Sequence, residues 1–418
     1  MIEDLNIERS KRLYARAVEM IPGGSQTNSL RPDRYVPGAY PAYIQRGRGS
    51  HVWDVDGNEY IDYICHAGPI ILGHAYPRVV EAVKAQTEEM ILSPLLHPLE
   101  LEVADEIIKA VACAEMVRFM KTGAMACAAA VRTARAYTGR EIVAHCGYHG
   151  CLDWWVAGQS GAAEIGVPKV LSEYIASFEY LNLGSLEQIL KEKGDKVACV
   201  IMTPVHPRTD ASSKEIQDFL RGVRELVDQY CVLLIFDEIK TGFRLSIGGA
   251  QEYYGVIPDL ACFAKAMANG LPLSALTGRK EVMSIVKDLR LTTTYGGECL
   301  SLAGSLATIR ELKGRNAIGH IWTMGEKVME GFNSIAHDLD MRARCNGLPP
   351  MFSFRFECDG SESELDVRHL FLQEMAKRGV LMNMDESFIT YSHSQEDVEK
   401  TVDAFSEILP MIRDKAKM

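Results

Sequence analysis

Apolar residues in this chain fall into short runs and into longer stretches of helical period, and the two alternate. Cys231 to Phe236 is an unbroken apolar run rich in Val, Leu and Ile, the pattern of a strand buried on both faces of a parallel sheet. Met116–Met120, Glu141–Cys146, Val197–Val205 and Leu273–Thr277 are read as further strands. Between them lie the amphipathic helix Leu99–Val111, the alanine-rich helix Ala124–Tyr137 and the amphipathic helix Lys214–Tyr230. Repeated strand–helix units of this kind predict an α/β fold.

The two ends of the chain follow another pattern. Ile7 to Met20 predicts a helix stopped by Ile21-Pro-Gly-Gly24, and His51 to Asp62 reads as a hairpin turning at Asp56-Gly57-Asn58. A helix is expected from Pro77, and a largely helical stretch from Ser301 to about Ile335. Beyond it, Met351–Phe356 and Ser387–Tyr391 alternate like strands, and Ser394–Leu409 reads as a helix stopped or kinked by Pro410. The expected partition is an N-terminal segment 1–65, a large domain 66–310 and a C-terminal small domain 311–418.

Chemistry is suggested where the apolar runs stop. Asp237-Glu238 closes the Cys231–Phe236 run, and open α/β sheets bind ligands at the carboxyl ends of their strands. Lys265 follows the apolar Leu260-Ala-Cys-Phe-Ala, a setting that weakens an ammonium's preference for charge and favours a nucleophilic amine. An Asp for a pyridinium nitrogen and a Lys for a Schiff base are the two protein groups that pyridoxal phosphate requires. An acidic pair after a strand also occurs at metal-dependent ATPase sites, and a single lysine is often structural. Lys121-Thr-Gly-Ala124, between a strand and a helix, has the form of an anion site made from backbone N–H groups and the helix dipole. Tyr148, in Gly147-Tyr-His-Gly150, is either a stacking aromatic or a turn residue packed on the core; Trp154 and Trp155 read as loop or interface packing.

Composition excludes several classes. A formal net charge of -11 argues against nucleic acid as a partner, and no apolar run approaches the roughly 20 residues that cross a bilayer. The 11 cysteines include no CxxC pair, which points to a reducing compartment rather than a disulfide framework. His145, Cys146 and Cys151 match no zinc spacing, so no metal is expected. The start Met-Ile-Glu-Asp-Leu-Asn has no leader pattern, and the expected location is cytoplasmic. No GxGxxG follows a strand, against a Rossmann dehydrogenase.

Asp237-Glu-Ile-Lys-Thr-Gly-Phe-Arg244, followed by Tyr254-Gly-Val-Ile-Pro-Asp-Leu and Ala264-Lys-Ala, resembles the class III (subgroup II) aminotransferases, and within them the glutamate-1-semialdehyde aminomutase branch. The resemblance runs from about Tyr14 to the C-terminus and includes the Trp53-Asp-Val-Asp-Gly57 hairpin. It implies fold type I: a large domain with a mostly parallel seven-stranded sheet between helices, and a smaller α+β domain from both chain ends. It implies pyridoxal 5'-phosphate as cofactor, Lys265 and Asp237 as catalytic residues, and the phosphate at Thr122, Gly123 and Ala124. Tyr148 and Ile239 would sandwich the ring, and Thr294 would reach the phosphate of a neighbouring subunit, so a homodimer with shared active sites is expected. Arg31 is the implied carboxylate ligand, and His66, Ala67 and His149 are substrate-side candidates.

The departures bear on substrate. Ala67 stands where the aminomutases carry Trp, Ala124 lacks a hydroxyl, and Thr203 replaces the acid of a Glu-Pro-Val/Ile motif. One extra residue separates Gly23-Gly24 from Arg31. The reading is an aminotransferase moving an amino group from an amine or amino acid to an aldehyde or ketone, with a bulky, sugar-like or aminoglycoside-type substrate. An intramolecular aminomutase or epimerase is the first alternative, and a protein that kept the fold and lost catalysis is the second.

Overall fold

The unbroken apolar runs become the centre of a sheet. A computed structural model describes residues 5–159, 164–206, 208–358 and 361–416; the first four residues, read above for a leader, lie outside them. Seven strands lie in the order Met116–Met120, Ser274–Gly278, Leu260–Phe263, Leu233–Asp237, Val197–Met202, Ile142–Cys146, Ile175–Ser177. Ser274–Gly278 runs antiparallel to both its neighbours and every other pairing is parallel. The other six strands therefore share one direction and bring their carboxyl ends to one edge. Every residue of Val197–Met202 and Leu233–Asp237 is buried, which is why these segments show no polar alternation.

This sheet belongs to one of two compact units, Pro77–His206 with Ala211–Ile318; the other comprises Met1–Tyr76, Pro207–Asp210 and Gly319–Met418. Within the sheet's unit, the helix Gly123–Thr138 buries a face of small residues, Ala126, Cys127, Ala129, Ala130 and Ala134, against Ile201, Ile235, Cys262 and Leu276. Small side chains allow its backbone to approach the strands closely. Gly139, at φ 70, ends the helix in the left-handed conformation that suits glycine. The helix Ser213–Gln229 starts in a capping box of Ser212 and Glu215 and buries Ile216, Phe219, Leu220, Val223 and Val227. Each of those five side chains contributes roughly 1.5–3 kcal/mol by leaving water.

The other unit carries two smaller sheets. Ile44–Arg48, His51–Asp54 and Glu59–Asp62 pair antiparallel in sequence, and Val380–Leu381 joins Glu59–Asp62 in parallel. Ala343–Leu348, Met351–Phe356 and Ser387–Phe388 form an antiparallel sheet. A cluster of Phe332, Phe354, Phe371 and Phe405, with centroids 5.0–6.3 Å apart, fills its core. No described helix is long and apolar enough to cross a membrane.

Three differences from the sequence reading have a physical cause in the structure. The strand expected to reach Val205 ends at Met202, because Pro204 has no N–H for the ladder. Ser387–Tyr391 shortens to Ser387–Phe388, since the N–H groups of Phe388, Ile389 and Tyr391 go to Tyr63, Pro350 and Ile71 in turn. The last helix, Gln395–Ala416, runs through Pro410. Phe405, Ile408, Leu409 and Ile412 are fully buried on either side of the proline, and that packing offsets its missing hydrogen bond.

Candidate active site

Five segments converge at the carboxyl edge of the large sheet. Asp237 ends Leu233–Asp237 and is the register partner of Cys262 on the parallel neighbour Leu260–Phe263. Lys265 lies just past that neighbour's end, so the acid and the amine leave adjacent strands on the same side. Lys265 opens the 3-10 turn Lys265–Ala268 at φ 47, left-handed backbone that a non-glycine residue adopts at a cost of about 1–3 kcal/mol. The Ser305 hydroxyl donates to Met267 O at 2.8 Å and holds that turn. Asp237 is almost wholly buried but well supplied with donors. His149 Nδ1 lies 2.7 Å and Cys127 Sγ 3.5 Å from its Oδ2, and Ile239 N–H donates to its Oδ1 at 3.1 Å. Glu238, its neighbour, is engaged elsewhere: it accepts from Ala250 N at 2.8 Å and Gln251 N at 3.0 Å, and burial raises its pKa.

Cys127, His149 and Asp237 offer atoms within 4.8 Å of one another, a donor set that zinc also takes. The thiol's surroundings favour a hydrogen-bonded network instead. The hydrogen bond with Cys262, then burial and Asp237, raise the Cys127 pKa well above its ordinary value, which keeps the thiol protonated and able to donate.

The strand Met116–Met120 leads into the helix Gly123–Thr138 through Thr122, whose hydroxyl accepts from Met125 N at 3.2 Å and retains its own proton to donate. The N–H groups of Gly123 and Ala124 open the helix, where backbone donors lack intrahelical partners. Side chains are excluded around them. A Cβ on Gly123 would stand 2.9 Å from Ile239 Cδ1, and one on Gly150 would stand 2.4 Å from Ala124 Cβ. The loop after Ile142–Cys146 is pinned as well, because a Cβ on Gly147 would meet Thr203 Oγ1 at 2.5 Å. Lys121 pairs with Glu298 at 2.8 Å, and Glu298 caps the helix Cys299–Gly314 by accepting from Leu300 N at 2.7 Å. The turn before that helix, with Thr294 exposed, is thereby tied to the Met116–Met120 strand end.

Thr122, Gly123, Ala124, Ile239, Asp237, His149 and Lys265 thus lie along one sheet edge. Tyr148 is 65% exposed, with its ring edge-on to Trp155 at 4.9 Å. His149, read as a substrate-side candidate, is buried against Asp237. The remaining candidates belong to the other unit. Arg31 forms a two-point pair with Asp33, at 3.1 and 2.6 Å. His66 and Ala67 sit in an unbroken left-handed run, Cys65 φ 45, His66 φ 44, Ala67 φ 62 and Gly68 φ 102. Asp62 braces that run by accepting from Ile64 N at 2.8 Å and Cys65 N at 3.0 Å. Cys127 was not singled out from sequence; an apolar helix face gives no sign that its single thiol meets an acid at a strand end.

A family model for class-III aminotransferases matches residues 35–409. The chain belongs to that family. It is 35% identical over 417 residues to a 3-aminobutyryl-CoA aminotransferase of Cloacimonas acidaminovorans (strain Evry), covering 99% of each chain. It is also 35% identical over 433 residues to a glutamate-1-semialdehyde 2,1-aminomutase of Persephonella marina, covering 97% of this chain and 100% of that one. A solved transaminase with PLP bound superposes with a TM-score of 0.90 at 26% identity, over 99% of this chain and 100% of that one.

This family member is a pyridoxal-phosphate enzyme, and the edge fits the group. Its requirements are an anion cradle without side chains, an acid for the ring nitrogen and an amine. The close-packed glycines, the triply supported Asp237 and Lys265 just past the adjacent strand are placed to meet these in one place.

Proposed function

We propose that this chain is an intermolecular aminotransferase, with Lys265 and Asp237 as its catalytic residues. The observation that carries the reading is that both leave the same edge of adjacent parallel strands, with Asp237 held as an acceptor by three donors. When bound, the cofactor supplies an electron sink for the carbon that loses its proton. Thr122 and the first N–H groups of the helix would bind its phosphate, with Ala124 contributing backbone alone. Ile239 and Tyr148 would flank its ring, and an anionic Asp237 would hold the ring nitrogen protonated. The Lys265 amine carries the proton between the two reacting carbons. One substrate leaves as a carbonyl compound, the second leaves as an amine, and no net oxidation occurs.

One of the two substrates is inferred to be bulky. Ala67 stands where the resembled aminomutases carry Trp, and the Cloacimonas relative acts on a substrate named as a coenzyme A thioester. A sugar-like carbonyl meets the same demand for room. Equal identity to an aminomutase keeps the single-substrate reaction as the second reading.

We also infer a homodimer. Leu95, Leu96 and Leu101 are 84%, 89% and 76% exposed, an apolar surface that a second copy would cover. The segment adjoins the Thr294 turn through Cys299 N–H donating to Ile91 O at 2.9 Å. Thr294 would then serve the neighbouring subunit's phosphate.

The test is the visible absorption of the protein loaded with pyridoxal phosphate, titrated with single amines: β-amino acids and their thioesters, amino sugars and glutamate-1-semialdehyde. Conversion of the spectrum by one amine, with one equivalent of carbonyl product and loss of the response in Lys265→Ala, is expected. Turnover of glutamate-1-semialdehyde alone would move the aminomutase to the front. A spectrum that Lys265→Ala leaves unchanged would overturn the assignment of Lys265.

A further inference from the structure

Behind Asp237 lies a cluster of four rings whose hydrogen bonds are incomplete. The pairs His145–His149, His145–Trp155, His149–Trp154 and His149–Trp155 have centroids 6.1–6.3 Å apart. Each ring carries one buried nitrogen without a partner among the described residues: His145 Nδ1, His149 Nε2, Trp154 Nε1 and Trp155 Nε1. An unmet buried polar atom is costly, and four in one cluster call for a common partner.

The donor and acceptor count identifies that partner. His149 directs Nδ1 at a carboxylate, so Nδ1 carries a proton, and in the neutral ring Nε2 presents a lone pair. His145 Nε2 is 2.8 Å from Ser177 Oγ. With the proton on that nitrogen and the serine oxygen accepting, His145 Nδ1 also presents a lone pair. The two indole N–H groups can only donate. Two donors and two acceptors in one cluster are the complement of one water molecule, which accepts twice and donates twice. Burial lowers the His145 pKa to about 4, so its imidazole is neutral, as the count requires.

We propose that one internal water joins His149 Nε2, His145 Nδ1 and the indole nitrogens of Trp154 and Trp155. His145, Trp154 and Trp155 are then positioning residues that act through His149. A water hydrogen donated to Nε2 confines the His149 proton to Nδ1, facing Asp237. With the other tautomer, a lone pair would oppose the carboxylate and Asp237 would lose its strongest donor. Asp237's role rests on the function proposed above, but the water and the tautomer are properties of the protein alone.

The experiment is a crystal structure of the full-length protein, with pyridoxal phosphate bound and after its removal, at a resolution that shows ordered water. It is joined to nitrogen-15 NMR of histidine-labelled protein. A density peak within about 3.2 Å of His149 Nε2 and at least one indole nitrogen is expected in both forms. The NMR should show His149 protonated at Nδ1, and Trp155→Phe should populate the Nε2 tautomer and weaken cofactor binding about 2- to 10-fold, the equivalent of one hydrogen bond. A dry cluster in the wild-type density would overturn the proposal without touching the aminotransferase reading. So would a His149 tautomer unchanged in a folded Trp155→Phe protein.

Discussion

Gly150→Ala places one methyl group where the site has no space, and its cost can be worked from geometry. Gly150 sits at φ 108, outside the range L-residues readily adopt, which costs about 1–3 kcal/mol. The new Cβ would stand 2.4 Å from the β-carbon of Ala124 and 2.8 Å from its α-carbon. Neither atom is the end of a flexible chain. Ala124 is the second residue of a helix whose next turns are buried against the sheet, so it cannot recede cheaply. Overpacking of this kind adds about 1–3 kcal/mol, for a total of about 2–6 kcal/mol. The displaced residues are Ala124, in the anion cradle, and His149, next in sequence to Gly150, so cofactor binding should weaken along with folding. Urea denaturation of Gly150→Ala, of Ala124→Gly and of the double variant measures the effect. The second substitution removes the 2.4 Å clash but leaves the 2.8 Å approach to the backbone of residue 124 and the strained φ. The pair should therefore recover part of the loss, with a coupling of about 0.5–3 kcal/mol. A single-variant loss below about 1 kcal/mol, or a strictly additive pair, would refute the argument.

Other perturbations follow from the same geometry. His149→Leu removes a hydrogen bond to a buried carboxylate, worth about 1.5–3 kcal/mol, so turnover should fall roughly 10- to 100-fold with weaker cofactor binding; wild-type kinetics would exclude the pair from function. Burial lowers the pKa of both His145 and His393 to about 4. Unfolded histidine titrates near 6.5, so the stability from keeping them neutral is complete above about pH 6.5 and is lost as pH falls toward 4. The slope is at most about 1.4 kcal/mol per pH unit for each, and denaturant melts of His393→Gln across that range should flatten it. His51 has the opposite sign: its bond to Asp397 raises its pKa, so its contribution is present below about 6.5 and is lost as pH rises through the raised value, a dependence absent from His51→Gln. Leu95→Asp with Leu96→Asp should shift the sedimenting species from dimer to monomer, and an unchanged dimer would place the interface elsewhere.

The fold was legible because burial wrote itself into composition. Strands covered on both faces carry no polar residues, so Val197–Met202 and Leu233–Asp237 stand out as apolar runs, and the Asp237 position declares where one run ends. Leu260–Phe263, wholly buried, carried that signal and was read only as the apolar setting of Lys265, whereas two other strands that escaped notice lack it. Ile44–Arg48 is an exposed edge with two arginines in five residues, and Ile175–Ser177 is a three-residue edge. Neither has a fully covered face, so the chain was under no demand to make either apolar. Pro410 misled for a related reason. A proline removes one hydrogen bond at a known cost, but whether a helix survives depends on the packing of Phe405 and Ile412, which local sequence does not report.

The site divides along the same line. Residues placed by the backbone were visible: Thr122 and Gly123 at a strand-to-helix switch, Lys265 past a strand. The direction of a side chain was less legible: sequence offered the adjacent Tyr148 and His149 alike to the ligand, and whereas Tyr148 stands exposed, His149 turns in to Asp237. The glycines bracketing them explain the split. Gly147 at φ 107 and Gly150 at φ 108 let the chain reverse on both sides of the pair, with Thr203 against the first and Ala124 against the second. Thr203 then has a reason of its own. A glutamate there would have to fit its longer chain against Gly147, where the existing Oγ1 already occupies the space that a Cβ would need. The change that sequence registered as a lost carboxylate is thus coupled to the loop that delivers His149. Restoring the acid alone, as Thr203→Glu, should disturb His149 and Asp237 before it adds any chemistry, so the variant is expected to bind cofactor less tightly than wild type. Tighter binding would show that the loop yields and that the coupling is not real.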